Sequence, residues 1–306
     1  MNDIRGMLLP LPTVFDEAGM IDEPVLRQMV DYYIGAGINA IFVGGSMGQG
    51  MALTQEERKR LFDIAVSAVK KRVPIVAHVG TADPYTTIDL GRYALKAGAD
   101  ALATVGPYYY SDRTPVELRA HFKMVGKALT APILLYNNPQ YQGYPISGEL
   151  MGQLVEDSPQ IFGCKLAKGG IDELVAYRGA MGPDFKLFAM ASSLFPGMRM
   201  GLTGTVSPPL TLCPEIGVAC IRAIDAGDDR RALELQEAIV ELQGSLISPA
   251  IRKIAGRGVY LAGLRELGFP IKLYPRWPVA EVPQLGIERI RAAVQRARSV
   301  LTPKAA

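Results

Sequence analysis

Short apolar runs recur along the chain and alternate with segments that have the spacing and end signals of helices. Each run is apolar on both of its alternating faces, which is typical of parallel strands that are buried on both sides of a sheet. We predict eight such strands: Met7–Val14, Ala40–Gly44, Ile75–Val79, Ala101–Val105, Ile133–Asn137, Ile161–Leu166, Phe185–Met190 and Thr203–Ser207.

The segments between the runs begin with residues that cap helices. Thr54 and Thr114 are each followed three residues later by a glutamate, which predicts a capping box at both positions. A short helix, interrupted by Pro196, is predicted over Ser192–Met200. Further N-caps are predicted at Asp22, Asp83 and Ser147.

Two junctions between a helix and a strand are alike. The segment Ala36–Ile41 matches Ala97–Leu102, and each places a glycine between a helix end and an apolar run. Eight strands that alternate with helices predict an α/β fold, a closed (β/α)8 TIM barrel. A doubly wound open sheet is the alternative, but no glycine fingerprint opens a helix after the first strand, which disfavours a dinucleotide-binding fold.

The pattern changes after about Ala226, where strand-like runs stop. We therefore predict a barrel over residues 1–225 and a C-terminal helical extension over residues 226–306. A small separate domain is the alternative interpretation of the second part. The predicted helices of this part are Asp228–Leu242, Pro249–Leu267 and Gly286–Leu301.

Composition narrows the class of protein. The chain has 306 residues, 49% of them hydrophobic, and its net charge of +3 is spread along the sequence, so no nucleic-acid partner is expected. No apolar run is long enough to span a membrane, and residues 1–6 lack the apolar core of a signal peptide, so no secretion is expected. Three cysteines without metal-ligand spacing indicate a reducing cytoplasm. With His78 and His121 as the only histidines, no metal and no cofactor are expected.

Lys165 is the residue with the most unusual setting, because it lies inside an apolar strand. Burial of an ammonium is costly, and desolvation favours the neutral amine, which is the form that attacks carbonyls. The alternative is a lysine that extends to solvent or pairs with a carboxylate. Lys168 is a rival nucleophile, but its glycine-rich surroundings predict a solvated side chain.

Three other segments follow predicted strands, where the active residues of barrels lie. The loop Gly44–Gly50 exposes backbone N–H groups that could hold a carboxylate or phosphate, and Ser46 could relay a proton; a tight turn with positive φ is the alternative. Tyr136 is a candidate acid or base, or else an aromatic of the barrel rim. The segment Pro107–Tyr110 could line a pocket, form a subunit contact or simply pack on the surface.

These motifs, in this order, resemble the dihydrodipicolinate synthase / N-acetylneuraminate lyase family, and the resemblance covers nearly the whole chain. A single motif of this kind is weak, whereas several in order at family-like spacing are specific. The matching segments are Gly45–Gln49, Pro107–Tyr109, Tyr136–Pro139, Gly163–Lys165 and Gly201–Ser207.

The resemblance implies a class I lyase in which Lys165 forms a Schiff base with pyruvate or another 2-oxo acid. It implies that Tyr136 positions the 2-oxo acid and moves a proton. Ser46 and the backbone amides of Ser46 and Met47 would hold the carboxylate, and Gly45 belongs to the same substrate-binding set. It also implies a homotetramer built as a dimer of dimers, in which a tyrosine of a neighbouring subunit completes the relay. The residue matching that tyrosine is Tyr109, and Val206 matches a position whose carbonyl faces the site.

The sequence departs from the family pattern at several site positions. Met47 replaces a threonine and Gln49 a glutamate, so proton transfer through Ser46 or water is expected instead. Tyr141 stands where dihydrodipicolinate synthases carry an arginine that grips a carboxylate, and no aromatic ring can make that contact. Met190 lies near the end of the seventh strand, where sialic acid lyases bind a polyol tail with acidic residues. An aldehyde that is smaller or less polar is therefore expected.

The leading hypothesis is an enzyme that makes or breaks a carbon–carbon bond between pyruvate and an aldehyde. A dehydratase acting on a 2-oxo-3-deoxy sugar acid would use the same lysine. Dihydrodipicolinate synthase activity is a further alternative. Outside enzymology, Met47 and Gln49 are also compatible with a barrel that binds a 2-oxo acid with weakened catalysis.

Overall fold

The computed structural model describes residues 4–167, 170–247, 256, 258–273, 275–277 and 281–302. Eight parallel strands pair in chain order and the last pairs with the first, so the predicted closed barrel is confirmed. The strands are β1 Gly6–Pro10, β2 Ala40–Val43, β3 Ile75–His78, β4 Ala101–Val105, β5 Ile133–Asn137, β6 Ile161–Leu166, β7 Lys186–Ala189 and β8 Gly204–Thr205.

Helices follow the strands and cover the outside of the barrel. They are α1 Glu23–Gly35, α2 Gln55–Val69, α3 Pro84–Ala97, α4 Pro115–Ala128, α5 Pro139–Gln142, α6 Gly148–Asp157, α7 Ile171–Met181, α8 Leu194–Arg199, α9 Pro214–Asp225 and α10 Asp229–Ile247, followed by Gly258–Glu266 and Gln284–Ser299. Thr54 and Thr114 form the predicted capping boxes with Glu57 and Glu117. These caps fix where α2 and α4 begin, directly after two of the loops that follow strand ends.

The first and last strands are shorter than the sequence predicts. β1 ends at Pro10 and not at Val14, because Pro10 and Pro12 have no N–H to donate to a neighbouring strand. β8 is reduced to Gly204 and Thr205, where the barrel closes against β1. A Cβ on Gly204 would lie 1.9 Å from the carbonyl oxygen of Gly6, so this contact between strands requires a glycine.

Two layers of apolar side chains make up the core. Leu8, Phe42, Leu134, Phe188 and Val206 belong to the cluster inside the barrel. A much larger cluster fills the space between the strands and the surrounding helices. The barrel interior is therefore packed with side chains.

The C-terminal helices pack on the barrel. Gln236 in α10 accepts from the N–H of Phe195 at 2.7 Å and donates to the carbonyl of Ala191 at 3.0 Å, which joins α10 to the segment that follows β7. The predicted helix Pro249–Leu267 lies partly outside the described residues, and its described part is helical over Gly258–Glu266. Within the described part of the chain, no helix is both long and apolar enough to cross a bilayer.

Candidate active site

Lys165 is the next-to-last residue of β6, and its side chain points into the barrel. It shares one row of the sheet with Tyr136 of β5 and Phe188 of β7, while its neighbour Cys164 faces the outer core. Gly163, two residues earlier, also matters, because a Cβ there would lie 2.4 Å from the carbonyl oxygen of Lys186. The Gly-x-Lys motif therefore combines a close approach of two strands with an inward-facing amine.

The amine of Lys165 is enclosed by aromatic rings. Its Nζ lies 3.9 Å from the ring centroid of Tyr136 and 5.2 Å from that of Phe42. Only 5% of the residue is exposed, so the side chain does not extend into solvent. A primary amine that packs on aromatic faces at the end of a barrel strand is well placed to react with a small carbonyl compound.

The hydroxyl of Tyr136 joins three polar side chains. Asn138 donates to it through Nδ2 at 2.8 Å, and Ser46 Oγ lies 3.5 Å away. Burial favours the neutral phenol, but the positive charge of Lys165, with hydrogen bonds from Ser46, Asn138 and Lys165, outweighs it and lowers the pKa of Tyr136. A phenol whose pKa is lowered beside a lysine is suited to take up and return a proton.

The glycine-rich loop after β2 is folded tightly over its own start. A Cβ on Gly50 would lie 1.9 Å from the carbonyl oxygen of Gly44, and Gly44 itself has a φ of +71°. Thr13 donates through Oγ1 to the carbonyl of Gly48 at 2.6 Å. Both the positive φ and the crowding require glycines, and the resulting turn brings Ser46 to the phenol of Tyr136.

Gln49 connects this loop to the C-terminal part of the chain. Its Oε1 accepts from the backbone N–H of Arg276 at 2.6 Å, and its Nε2 donates to the carbonyl of Thr13 at 3.4 Å. The guanidinium of Arg276 pairs with Glu57 and lies 4.8 Å from the ring centroid of Phe15. We call this set of contacts the Gln49–Arg276 clasp.

Two buried basic side chains lie beside the site. His78 at the end of β3 accepts at Nε2 from the N–H of Val105 at 3.2 Å, and Arg58 donates to the carbonyls of His78 and Gly80 at 2.7 and 3.3 Å. Burial, aided by the charges of Arg58 and Lys165, keeps the pKa of His78 well below its usual value. Burial also lowers the pKa of Arg58 to about 10. His78 is therefore neutral near pH 7.

A cavity of about 580 Å³ opens at the C-terminal ends of the strands, with Lys165 in its wall. Its wall also contains most of the other residues selected from the sequence: Gly45, Ser46, Met47, Tyr136, Tyr141 and Met190. A neighbouring cavity of about 360 Å³ shares Ser46, Tyr136, Tyr141 and Trp277 with the first and reaches His78 and Tyr108.

Two of the site residues predicted from the sequence, Val206 and Tyr109, are not among the residues that line the Lys165 cavity. Val206 lies in the core inside the barrel with Phe42 and Phe188. Tyr109 is 84% exposed on the loop after β4 and has a φ of 84°, so its side chain does not reach Lys165 of the same chain. Lys168, the rival nucleophile, lies outside the described residues.

Sequence reasoning missed several residues of the site. Asn138 was part of a recognised motif, and its role as an N-cap that also donates to Tyr136 could have been suggested by its position before Pro139. Trp277, His78 and Arg58 gave no comparable signal. Their places depend on contacts between segments that are far apart in the sequence.

Comparisons with known proteins bear on the family and the fold of the chain. The model of the Dihydrodipicolinate synthetase family matches residues 3–297. A 4-hydroxy-tetrahydrodipicolinate synthase of Bartonella bacilliformis is 30% identical over 298 residues, which cover 96% of this chain and 98% of that protein.

Solved structures of two other proteins share the fold of this chain. A dihydrodipicolinate synthase from Acinetobacter baumannii, complexed with pyruvate, superposes with a TM-score of 0.86 at 27% identity and covers 96% of this chain and 99% of the other. The sialic acid aldolase of Ruminococcus gnavus superposes with a TM-score of 0.89 at 20% identity, over 98% and 99% of the two chains. At that identity the second likeness concerns the fold alone.

Proposed function

Since the chain belongs to the dihydrodipicolinate synthetase family, a family of pyruvate-dependent class I aldolases and lyases, we propose that Lys165 holds a 2-oxo acid as a Schiff base. The reaction is the making or breaking of a carbon–carbon bond between pyruvate and an aldehyde. The observation that carries this proposal is the amine of Lys165, buried against the ring of Tyr136 in the wall of a cavity that has room for both reactants.

The chemistry starts with the neutral amine. Nζ of Lys165 adds to the keto carbon of pyruvate, and loss of water gives an imine that is protonated on nitrogen. This cation withdraws electrons, so the methyl group loses a proton and an enamine forms. The enamine carbon then attacks the aldehyde carbon, whose oxygen takes a proton, and water releases the product and the free amine. Cleavage follows the same steps in reverse.

The proton transfers are assigned to Tyr136. Its hydroxyl has a lowered pKa and touches Asn138 and Ser46, so it can accept a proton and return it without a metal. Ser46 and the backbone of the turn Gly45–Met47 are assigned to the carboxylate of the 2-oxo acid. We assign Val206 no contact with the substrate beyond the backbone role that the family resemblance implies.

An assembly of subunits completes the proposal. Tyr109 is largely exposed, and its ring meets that of Tyr110 with the centroids 5.1 Å apart. An exposed tyrosine on the loop after β4 supports the role that the family resemblance implies, that of a residue entering the site of a neighbour. We therefore propose a homotetramer made of two dimers.

The C-terminal residues 226–306 serve as an extension of the barrel in this proposal, since Leu246, Val259 and Trp277 contribute to the wall of the Lys165 cavity. Three buried, unpaired cysteines, Cys164, Cys213 and Cys220, fit a reducing cytoplasm.

Borohydride trapping tests the proposal directly. Incubation with pyruvate and borohydride should reduce the imine to a stable secondary amine, and peptide mass spectrometry should find it on Lys165. Lys165→Ala should lose the adduct completely, whereas Lys127→Ala, which removes an exposed lysine from α4, should retain it. An adduct on another residue, or none with correctly folded protein, would remove Lys165 from the mechanism.

Product analysis separates the remaining alternatives. Condensation of pyruvate with an aldehyde supports the aldolase. Water elimination from a 2-oxo-3-deoxy sugar acid would identify a dehydratase. The names of the relatives favour dihydrodipicolinate synthase activity, but Tyr141 in the cavity wall offers no cation to a carboxylated aldehyde. Trapping without turnover on any aldehyde would indicate a barrel that only binds 2-oxo acids.

A further inference from the structure

Two aromatic side chains besides Tyr136 line both the Lys165 cavity and the neighbouring one. They are Tyr141 and Trp277, and Ser46 and Tyr136 are the other residues that the two cavities share. We propose that Trp277 is a specificity-determining residue and that, with Tyr141, it selects an aldehyde that is uncharged and carries a flat apolar group. This inference rests on the proposed function, because it concerns the second reactant of the same site.

The charge of the cavity lining disfavours a charged aldehyde. Among the described residues that line the cavity, Lys165 carries the only formal charge. In the proposed imine this nitrogen is bonded to the 2-oxo acid, and its charge is balanced by the carboxylate of the same molecule. An aldehyde with its own carboxylate would be desolvated there, and the described part of the lining offers it no second cation, which is unfavourable.

The backbone just before Trp277 is held in place by hydrogen bonds. The Gln49–Arg276 clasp ties the residue directly before Trp277 to the glycine-rich loop, through the hydrogen bond between Gln49 and the backbone of Arg276. Leu273 is tied in addition by its N–H, which donates to the carbonyl of Phe15 at 3.3 Å. The backbone that carries Trp277 is thus attached to the same loop that is assigned to the 2-oxo acid.

Both aromatic residues of the wall are accessible. Trp277 is 42% exposed and Tyr141 is 43% exposed, so neither residue is packed into the core. Aromatic rings that are held in place beside a cavity bind flat apolar groups through stacking and through loss of water from both surfaces. A polyol or a charged chain would gain neither.

A set of pyruvate condensations measures this preference. The aldehydes are benzaldehyde, butanal, glyceraldehyde and glyoxylate, and kcat/KM is determined for each with saturating pyruvate. The wild-type chain should prefer benzaldehyde. Trp277→Ala should lower kcat/KM for benzaldehyde by about tenfold or more while changing glyoxylate little, and Trp277→Phe should restore most of the loss.

Tyr141→Arg is the complementary variant, because it adds a cation to an exposed position of the wall. It should raise kcat/KM for glyoxylate and lower it for benzaldehyde, even if Trp277→Ala should fail to fold. Leu285→Ala, which removes an exposed apolar side chain eight residues after Trp277, is the control and should leave the order of aldehydes unchanged.

Borohydride trapping with pyruvate, run on every variant, distinguishes a failure of the specificity inference from a failure of the proposed function. Normal trapping with a preference for glyoxylate or glyceraldehyde would overturn the role of Trp277 and leave Lys165 in place. An equal loss for all aldehydes in Trp277→Ala would overturn it as well. Absence of any adduct in the wild-type chain would overturn the proposed function, and the specificity inference with it.

Discussion

The loop Gly44–Gly50 after β2 and the segment Pro107–Tyr110 after β4 occupy equivalent places in the barrel but differ in almost every physical respect. The first is folded inward, with Gly48 and Gln49 hydrogen-bonded to the chain around Thr13. The second begins anchored, since Tyr144 donates to the carbonyl of Pro107 at 2.6 Å, but then turns outward. Its tip exposes Tyr109 by 84% and Tyr110 by 60%.

The two segments differ in whether their groups find partners within one chain. Polar groups of the inward loop are buried, so they need partners within the chain, and those partners fix the position of Ser46. Tyr109 has a positive φ, which costs about 1–3 kcal/mol for a residue other than glycine, and no burial of its ring offsets that cost. Within one chain the inward loop has hydrogen-bond partners for Gly48 and Gln49, whereas Tyr109 of the outward segment stays largely exposed.

The largest effect should come from the inward side. Tyr136→Phe removes the hydroxyl that meets Ser46 and Asn138, so kcat should fall by about 10²–10⁴-fold, the usual contribution of a positioned acid or base. Imine formation with pyruvate should persist, which borohydride trapping checks. Tyr110→Phe, the matched change on the outward segment, should have little effect. Equal turnover in Tyr136→Phe and the wild type would exclude Tyr136 from the relay.

A backbone change should come next. Gly50→Ala places a Cβ against the carbonyl of Gly44, which cannot move aside as a side chain could, so unfolding in urea should show a loss of about 1–3 kcal/mol or more. Gly179→Ala is the control, since nothing lies within 4 Å of its Cβ in α7. That change should stabilise the protein by up to about 1 kcal/mol. A neutral Gly50→Ala would mean that the loop is not held as tightly as its contacts indicate.

The sequence predicted the inward loop better than the outward one, for a physical reason. The order of the barrel strands and the starts of the helices follow from local signals, the apolar runs and the helix caps. A buried Lys165 was suggested by its place in an apolar run, with a lysine that extends to solvent or pairs with a carboxylate as the alternative. The glycines of Gly44–Gly50 also carry a local signal, since few other residues fit such a turn. These features could therefore be recognised before any coordinates.

What escaped prediction depends on long-range contacts. Gln49 was noticed only as a departure from a family pattern, yet it holds Arg276, which lies 227 positions later in the chain. His78 was noted only as one of two histidines, too few for a metal site. Burial, aided by the charges of Arg58 and Lys165, keeps its pKa well below the usual value, and its Nε2 accepts from the N–H of Val105. Periodicity and spacing cannot show such pairings, because they describe only neighbours along the chain.

A pH series probes both regions through their histidines. His78 belongs to the inward site, and His121 lies in α4 behind the outward segment, where burial, aided by Arg113, lowers its pKa to about 4. Because both folded-state pKa values lie below the unfolded value of about 6.5, the unfolded chain binds more protons as the pH falls. The free energy of unfolding should thus be constant above about pH 7 and fall below pH 6.5.

For each such histidine the fall is at most about 1.4 kcal/mol per pH unit, and that of His121 ends near pH 4. Urea unfolding at pH 8, 7, 6 and 5 measures it, and His121→Gln should reduce the slope by the share of His121. A slope that is the same in the variant and the wild type would show that the environment of His121 does not disfavour its charge.

The smallest effect on stability should come from the tip of the outward segment. Tyr109→Phe removes one hydroxyl from a ring that is 84% exposed, so the free energy of unfolding should change by less than about 0.5 kcal/mol. If the proposed tetramer brings this hydroxyl to the site of a neighbour, turnover should still drop, though by less than about tenfold, because Ser46 and water share the transfer. Light scattering reports the mass of the assembly in the same samples. A fully active monomer, or an intact tetramer whose turnover does not change, would leave Tyr109 without a part in the reaction and would make the outward segment a surface feature alone.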